Sequence, residues 1–128
     1  MKDFSVSVAK IAQILDLKNF TENIDLKKIK ITSSDVNRPA LQLTGYFAHF
    51  EQSRIQMIGN VEYAYIQQMN DEEKRIRYNA FLQFEIPCVI FCRDLQPDAI
   101  FIEQAEKNHV PILGSSRPTS EFMAELIY

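Results

Sequence analysis

Arginines and acids near proline, histidines, serines and a cysteine pair are the side chains in this 128-residue chain whose types and spacing bear on chemistry. Asp35 and Arg38 stand three apart beside Pro39, and Arg54 and Arg93 each sit next to an apolar run. An arginine fork binds anions such as carboxylate or phosphate; it also braces loops and element ends. We expect the bracing role. Arg38 would pair with Asp35, and Arg93 with Asp94, or the forks would bond carbonyls left free where elements end. His49 with Glu51 has the types of an acid/base pair, but residues two apart do not face each other on a helix, so His49 reads as a surface loop residue. His109 falls at a helix end, where a cation complements the dipole. Ser33 and Ser34 lack the flanking glycines of a nucleophile elbow. Cys88 and Cys92 are four apart, which on a strand is ~13 Å, too far for a disulfide. A metal site would need two further ligands, and His49 and His109 are the chain's two histidines. We expect two buried, reduced thiols without metal.

The three glycines, Gly45, Gly59 and Gly114, exclude more than they suggest. A phosphate-binding loop needs two glycines five positions apart, and a dinucleotide fingerprint needs three within six residues. Neither occurs. With 14 basic against 17 acidic residues, a net charge of −3, the chain lacks the cationic surplus that binds nucleic acid. No apolar run reaches the ~20 residues of a membrane span. The N-terminus has no signal-peptide core, so a cytoplasmic location is expected. The length fits one domain, and a chain of this size buries roughly two-thirds of its unfolded surface without a disulfide or metal.

These residues must be positioned by alternating helices and strands. Val8, Ile11, Ala12 and Leu15 recur at helical spacing, with Ser5 or Ser7 as cap and Asn19 as stop. Ile29 and Ile31 alternate with lysines, as on a half-buried strand. Pro39 opens a short helix that Gly45 closes. A strand over 54–59 and a helix over 61–69 follow. Asn70 with Glu73 caps the next helix, which places Ile76, Ala80, Phe81 and Phe84 in the core and leaves Lys74, Arg75 and Arg77 to pair locally with Glu72 and Glu73. Cys88 to Cys92 reads as a strand buried on both faces. Pro97 and Asp98 open a helix with Phe101, Ile102 and Ala105 inward, Asn108 closes it, and Val110 to Leu113 is the next strand. Those last three elements form a βαβ unit with parallel strands. Pro118 starts a final helix with Phe122, Met123, Leu126 and Ile127 that runs to Tyr128, an ending that suits either a piece of a longer protein or a natural chain that ends on a helix. The expected architecture is α/β: a single three-layer-like domain over residues 1–128, with a small, mostly parallel sheet flanked by helices.

Four segments carry a resemblance. Residues 34–47 (SDVNRPALQLTGYF), Arg54 to Gly59 followed by Glu62, Pro87 to Leu95 (PCVIFCRDL) and Val110-Pro111-Ile112-Leu113 resemble, in order and at matching intervals, the N-terminal domain of bacterial HPr kinase/phosphorylase. Ala40 stands where that family often has glycine, and Gly114 and Glu121 where basic residues are common. The resemblance implies a fold similar to the first domain of UDP-muramoyl-peptide ligases. It implies an enzyme that phosphorylates a seryl residue of HPr with ATP or pyrophosphate and Mg²⁺, reverses this by phosphorolysis, serves carbon catabolite repression and assembles as a hexamer. That chemistry would belong to a C-terminal kinase domain. No catalytic, cofactor or metal residue carries over to this chain, which would act as a structural or assembly module. The alternative is a free-standing or regulatory module that binds a nucleotide or phosphometabolite. Asp35, Arg38, Arg54 and Arg93 are the interface or anion candidates.

Overall fold

A computed structural model of the chain describes residues 5–118; the helix expected after Pro118 lies outside them. Strand β1 (Val6–Ser7) runs into helix α1 (Val8–Ile14), whose first turn is capped by Ser7 accepting from the Lys10 N–H at 3.1 Å. The helix stops at Leu15, before the expected Asn19, because Asn19 is drawn into strand β2 (Lys18–Asn19). A 3₁₀ turn (Leu26–Lys28) leads to β3 (Lys30–Ile31), which pairs antiparallel with β1. Ile31 is buried and Lys30 exposed, the expected half-buried pattern.

Strand β4 (Val36–Asn37) precedes the short helix α2 (Ala40–Leu43). Gly45 closes that turn at φ +99°, a conformation side chains disfavour. Next come β5 (Ile55–Ile58), α3 (Asn60–Gln67), α4 (Asp71–Leu82), β6 (Val89–Phe91), α5 (Ala99–Lys107) and β7 (Ile112–Gly114). Asn70 caps α4 through the Glu73 N–H, Asp98 caps α5 through the Phe101 N–H, and Asn108 ends α5.

The main sheet has the order β2-β7-β6-β5-β4. Three neighbouring pairs are parallel, as the βαβ reading requires for β6 and β7. The β2–β7 pair is antiparallel, so the sheet is mixed rather than mostly parallel. One face carries Ile58, Val89, Phe91 and Ile112 against Leu43, Ile66, Tyr78, Phe81 and Phe101 of the helices α2 to α5. The other carries Ile55, Met57, Cys88, Ile90, Cys92 and Leu113 against Val8 of α1, Leu15 just past its end and Ile31 of β3. The sheet is therefore sandwiched, which explains why the Cys88–Cys92 run is apolar at every position. From β4 to β7 the order never reverses. The crevice that α/β proteins open where strand order reverses is missing from this part of the sheet.

The inward face of α4 differs from expectation. Tyr78, Phe81 and Leu82 are buried, whereas Ile76 is 62% exposed. Tyr78 turns inward because its hydroxyl has a partner there: it donates to Asp98 Oδ2 at 2.8 Å.

Candidate functional site

Residues just past the carboxyl ends of β4 and β5 gather around a single ion pair. Arg38 Nε and Nη2 donate to Glu62 Oε2 and Oε1 at 3.0 and 2.7 Å. Glu62 Oε1 also accepts the Gly59 N–H at 2.8 Å, which closes the N-terminus of α3. The Glu62 side chain is 3% exposed and that of Arg38 37%. A helix N-terminus attracts anions through its free N–H groups and its dipole; here a carboxylate from the chain itself takes that place.

The expected Arg38–Asp35 pair does not form. Asp35 instead faces Arg54 at 3.8 Å, and Arg54 also reaches Glu51 at 3.9 Å, both on the surface. Arg38 is led away because Pro39 and α2 carry the segment over the start of α3, where Glu62 is buried and needs a cation. Arg93 does not pair with Asp94 among the described residues. Both residues are left-handed, at φ 58° and 57°, and their N–H groups bond to Arg117 O and Ser115 O, each at 2.9 Å. Arg93 thus secures the end of β6 by its backbone. The four candidates form no common site: Asp35 and Arg54 meet at a surface turn, Arg38 joins Glu62, and Arg93 stands on a loop.

Cys88 and Cys92 are free and buried. Burial pushes the Cys88 thiol up to about 12. It pushes Cys92 up to about 11, with the Arg38 and Arg93 charges acting the other way. Neither is the depressed, exposed thiol that nucleophilic or redox chemistry requires. Among the described residues no three His, Cys, Asp or Glu side chains converge as a metal set. His49 and His109 are exposed, both at left-handed φ. His109 occupies the turn that ends α5, its N–H bonded to Glu106 O.

Three arrangements depend on partners distant in the sequence. Lys74, Tyr78 and Asp98 lock α4 to α5: Asp98 Oδ2 accepts from Tyr78 and lies 3.2 Å from Lys74 Nζ, while Oδ1 caps α5. Arg77 Nη1 donates to Thr44 O at 2.8 Å. Lys74 and Arg77 therefore work between elements, not in local pairs with Glu72 and Glu73. Buried Gln56 accepts from Asn37 at 2.6 Å and donates to Glu51 O and Arg54 O, fixing β4 on β5. At the amino ends of the strands an open cleft of about 510 Å³ lies among Lys28, Lys30, Ser53, Glu85 and His109, and none of the four candidates lines it.

Fold and site together define an α/β sandwich module whose polar groups at the strand ends are bonded internally. The chain belongs to the family described as HPr Serine kinase N terminus, whose model matches residues 6–128. It is 43% identical over 124 residues to HPr kinase/phosphorylase of Lachnoclostridium phytofermentans, across 97% of this chain and 40% of that protein. Proteins of the same name from Clostridium botulinum and Caldicellulosiruptor bescii are 38% and 37% identical, with 95% and 96% of this chain and 40% of each protein covered. The chain thus spans about 40% of the length of these relatives. In three dimensions it is similar to a crystal structure of the CBS and DRTGG domains from the regulatory region of Clostridium perfringens pyrophosphatase, complexed with the activator diadenosine tetraphosphate. The TM-score is 0.63 at 16% identity, over 94% of this chain and 45% of that one. No helix among the described residues is long and apolar enough to cross a membrane.

Proposed function

We propose that this chain is the non-catalytic, structural part of an HPr serine kinase/phosphorylase, in the cytoplasm and in the service of carbon catabolite repression. In this reading a C-terminal kinase domain transfers phosphoryl from ATP or pyrophosphate, with Mg²⁺, to a seryl residue of HPr and reverses the reaction by phosphorolysis. The present module supports the assembly of that enzyme. One observation carries the reading: the strongest anion-binding candidate, Arg38, donates both prongs of its fork to Glu62, and Glu62 itself fills the anion position at the start of α3. Phosphoryl transfer depends on donors and cations aimed at the transferring group. Here the donors are directed at a carboxylate of the protein.

A second reading, a regulatory module for a nucleotide or phosphometabolite, draws on the fold likeness to a region crystallised with diadenosine tetraphosphate. A thermal-shift titration with ATP, pyrophosphate, diadenosine tetraphosphate and sugar phosphates separates the two, because a ligand of the native state raises the melting temperature with concentration. The structural reading expects no saturable rise. A saturable rise that Arg38→Ala abolishes, while its circular dichroism stays native, would establish the regulatory one.

A further inference from the structure

Helices α4 and α5 lie side by side. Asp98 at the start of α5 holds Lys74 and Tyr78 of α4, and Asn108 at its end donates to Asn79 Oδ1 at 3.2 Å. A groove of about 530 Å³ opens between the two helices, lined by Arg75 and Lys107 and by no Asp or Glu. In a chain of net charge −3 this is a local surplus of positive charge. Neither Arg75 nor Lys107 has an ion-pair partner among the described residues. Glu72 and Glu103 stand on the same helices but outside the groove. The groove also holds Ile76, 62% exposed, and the small Ala80. Gln104 lines it too, and among the described residues its buried Oε1 has no hydrogen-bond partner. A buried acceptor left unmet costs stability, and natural proteins keep few of them.

We infer that the α4–α5 groove receives an acidic amphipathic helix of a partner protein. Charge complementarity selects this occupant. Its carboxylates meet Arg75 and Lys107, its apolar stripe covers Ile76 beside Ala80, and a donor on it reaches Gln104 once that amide turns outward. A basic occupant would take two cations out of water without a counter-charge. The shape suits a helix. On α4 the lining falls at positions 75, 76, 79, 80 and 83, a helical stripe that runs for ~12 Å, about two turns. Helix-in-groove recognition uses anchors at i, i+3, i+4 and i+7, which cover the same length. Arg38 and Glu62 take no part in the groove, so the inference stands apart from the proposed function.

Fluorescence anisotropy tests this with two labelled synthetic probes: an amphipathic helix whose leucine stripe is flanked by glutamates, and the same helix with lysine for each glutamate. The acidic probe should bind saturably with a Kd of about 0.1 mM, and the lysine probe at least about tenfold more weakly. Arg75→Glu with Lys107→Glu should weaken the acidic probe about tenfold. Lys28→Glu with Lys30→Glu changes the net charge equally, at the cleft by the amino ends of the strands, and should shift binding less than about twofold in physiological salt. Gln104→Met removes the unmet acceptor at similar volume, so it should raise the melting temperature and weaken the acidic probe. No saturation by about 1 mM overturns the inference. So does equal binding of the lysine probe, unchanged binding by the folded Arg75→Glu, Lys107→Glu chain, or an equal loss in the Lys28→Glu, Lys30→Glu chain. A Gln104→Met chain that binds as the original does, or melts lower, overturns the role given to Gln104.

Discussion

Arg38 and Glu62, 24 positions apart, meet fork to fork at 3.0 and 2.7 Å across the gap between α2 and α3. The pair joins the segment after β4 to the start of the helix after β5. Arg38→Ala leaves a buried carboxylate with the Gly59 N–H as its remaining partner. Because Arg38 is more than a third exposed, we expect a loss of about 2 kcal/mol, below the range for a fully buried pair. Urea denaturation measures it. Glu62→Gln, which retains an acceptor for Gly59, should cost less.

Asp98 serves three partners at once: the Phe101 N–H, the Tyr78 hydroxyl and Lys74. Asp98→Ala removes the α5 cap and strands a buried phenol, so it should destabilise by about 2–4 kcal/mol. Tyr78→Phe, which keeps the ring packing on Phe101, should cost about 1 kcal/mol.

The buried thiols give alkaline stability a definite sign. Cys88 and Cys92 are pushed from an ordinary value near 9 up to about 12 and 11. Tyr78 is shifted upwards too, by burial first and then by Asp98. Above pH 9 the unfolded chain releases these protons while the folded chain keeps them, so stability is full below pH 9 and falls as pH rises towards 11 and 12. Urea midpoints at pH 7, 9 and 10.5 should decline in that order, and Cys88→Ala should flatten the decline. At pH 8 a thiol reagent should label both cysteines slowly in the native state and rapidly in denaturant.

Gly114, on β7 beside β2, leaves no room for a side chain. A Cβ there would lie 2.7 Å from Cε2 of the Phe20 ring. Gly114→Ala should cost about 1–3 kcal/mol through overpacking. Phe20→Leu in the same chain should recover part of the loss, and thermal melts of the two variants decide it.

The elements with strong local signals were legible in the sequence. The unbroken apolar run 88–92 is the central strand β6, and Asp98 and Asn108 bound α5 as their side chains dictate. Ser7 caps α1 for the same reason. The misread features depend on distant partners. Ile76 and Tyr78 both lie at helical spacing from other apolar residues, and the choice of which turns inward is made by Asp98, twenty positions on. Asn19 has the chemistry of a helix stop, yet β7 recruits it as an edge strand. Arg38 had a nearby acid in Asp35; burial of Glu62 decided the pairing. The one advance sign was Glu62 three residues after Gly59, a carboxylate placed to close its own helix.

Mass spectrometry of HPr incubated with the purified chain, ATP and Mg²⁺ tests the proposed division of labour most directly. The account predicts HPr of unchanged mass at every time point, with the same result when pyrophosphate replaces ATP. Stoichiometric phosphorylation of a seryl residue by this chain alone would contradict it.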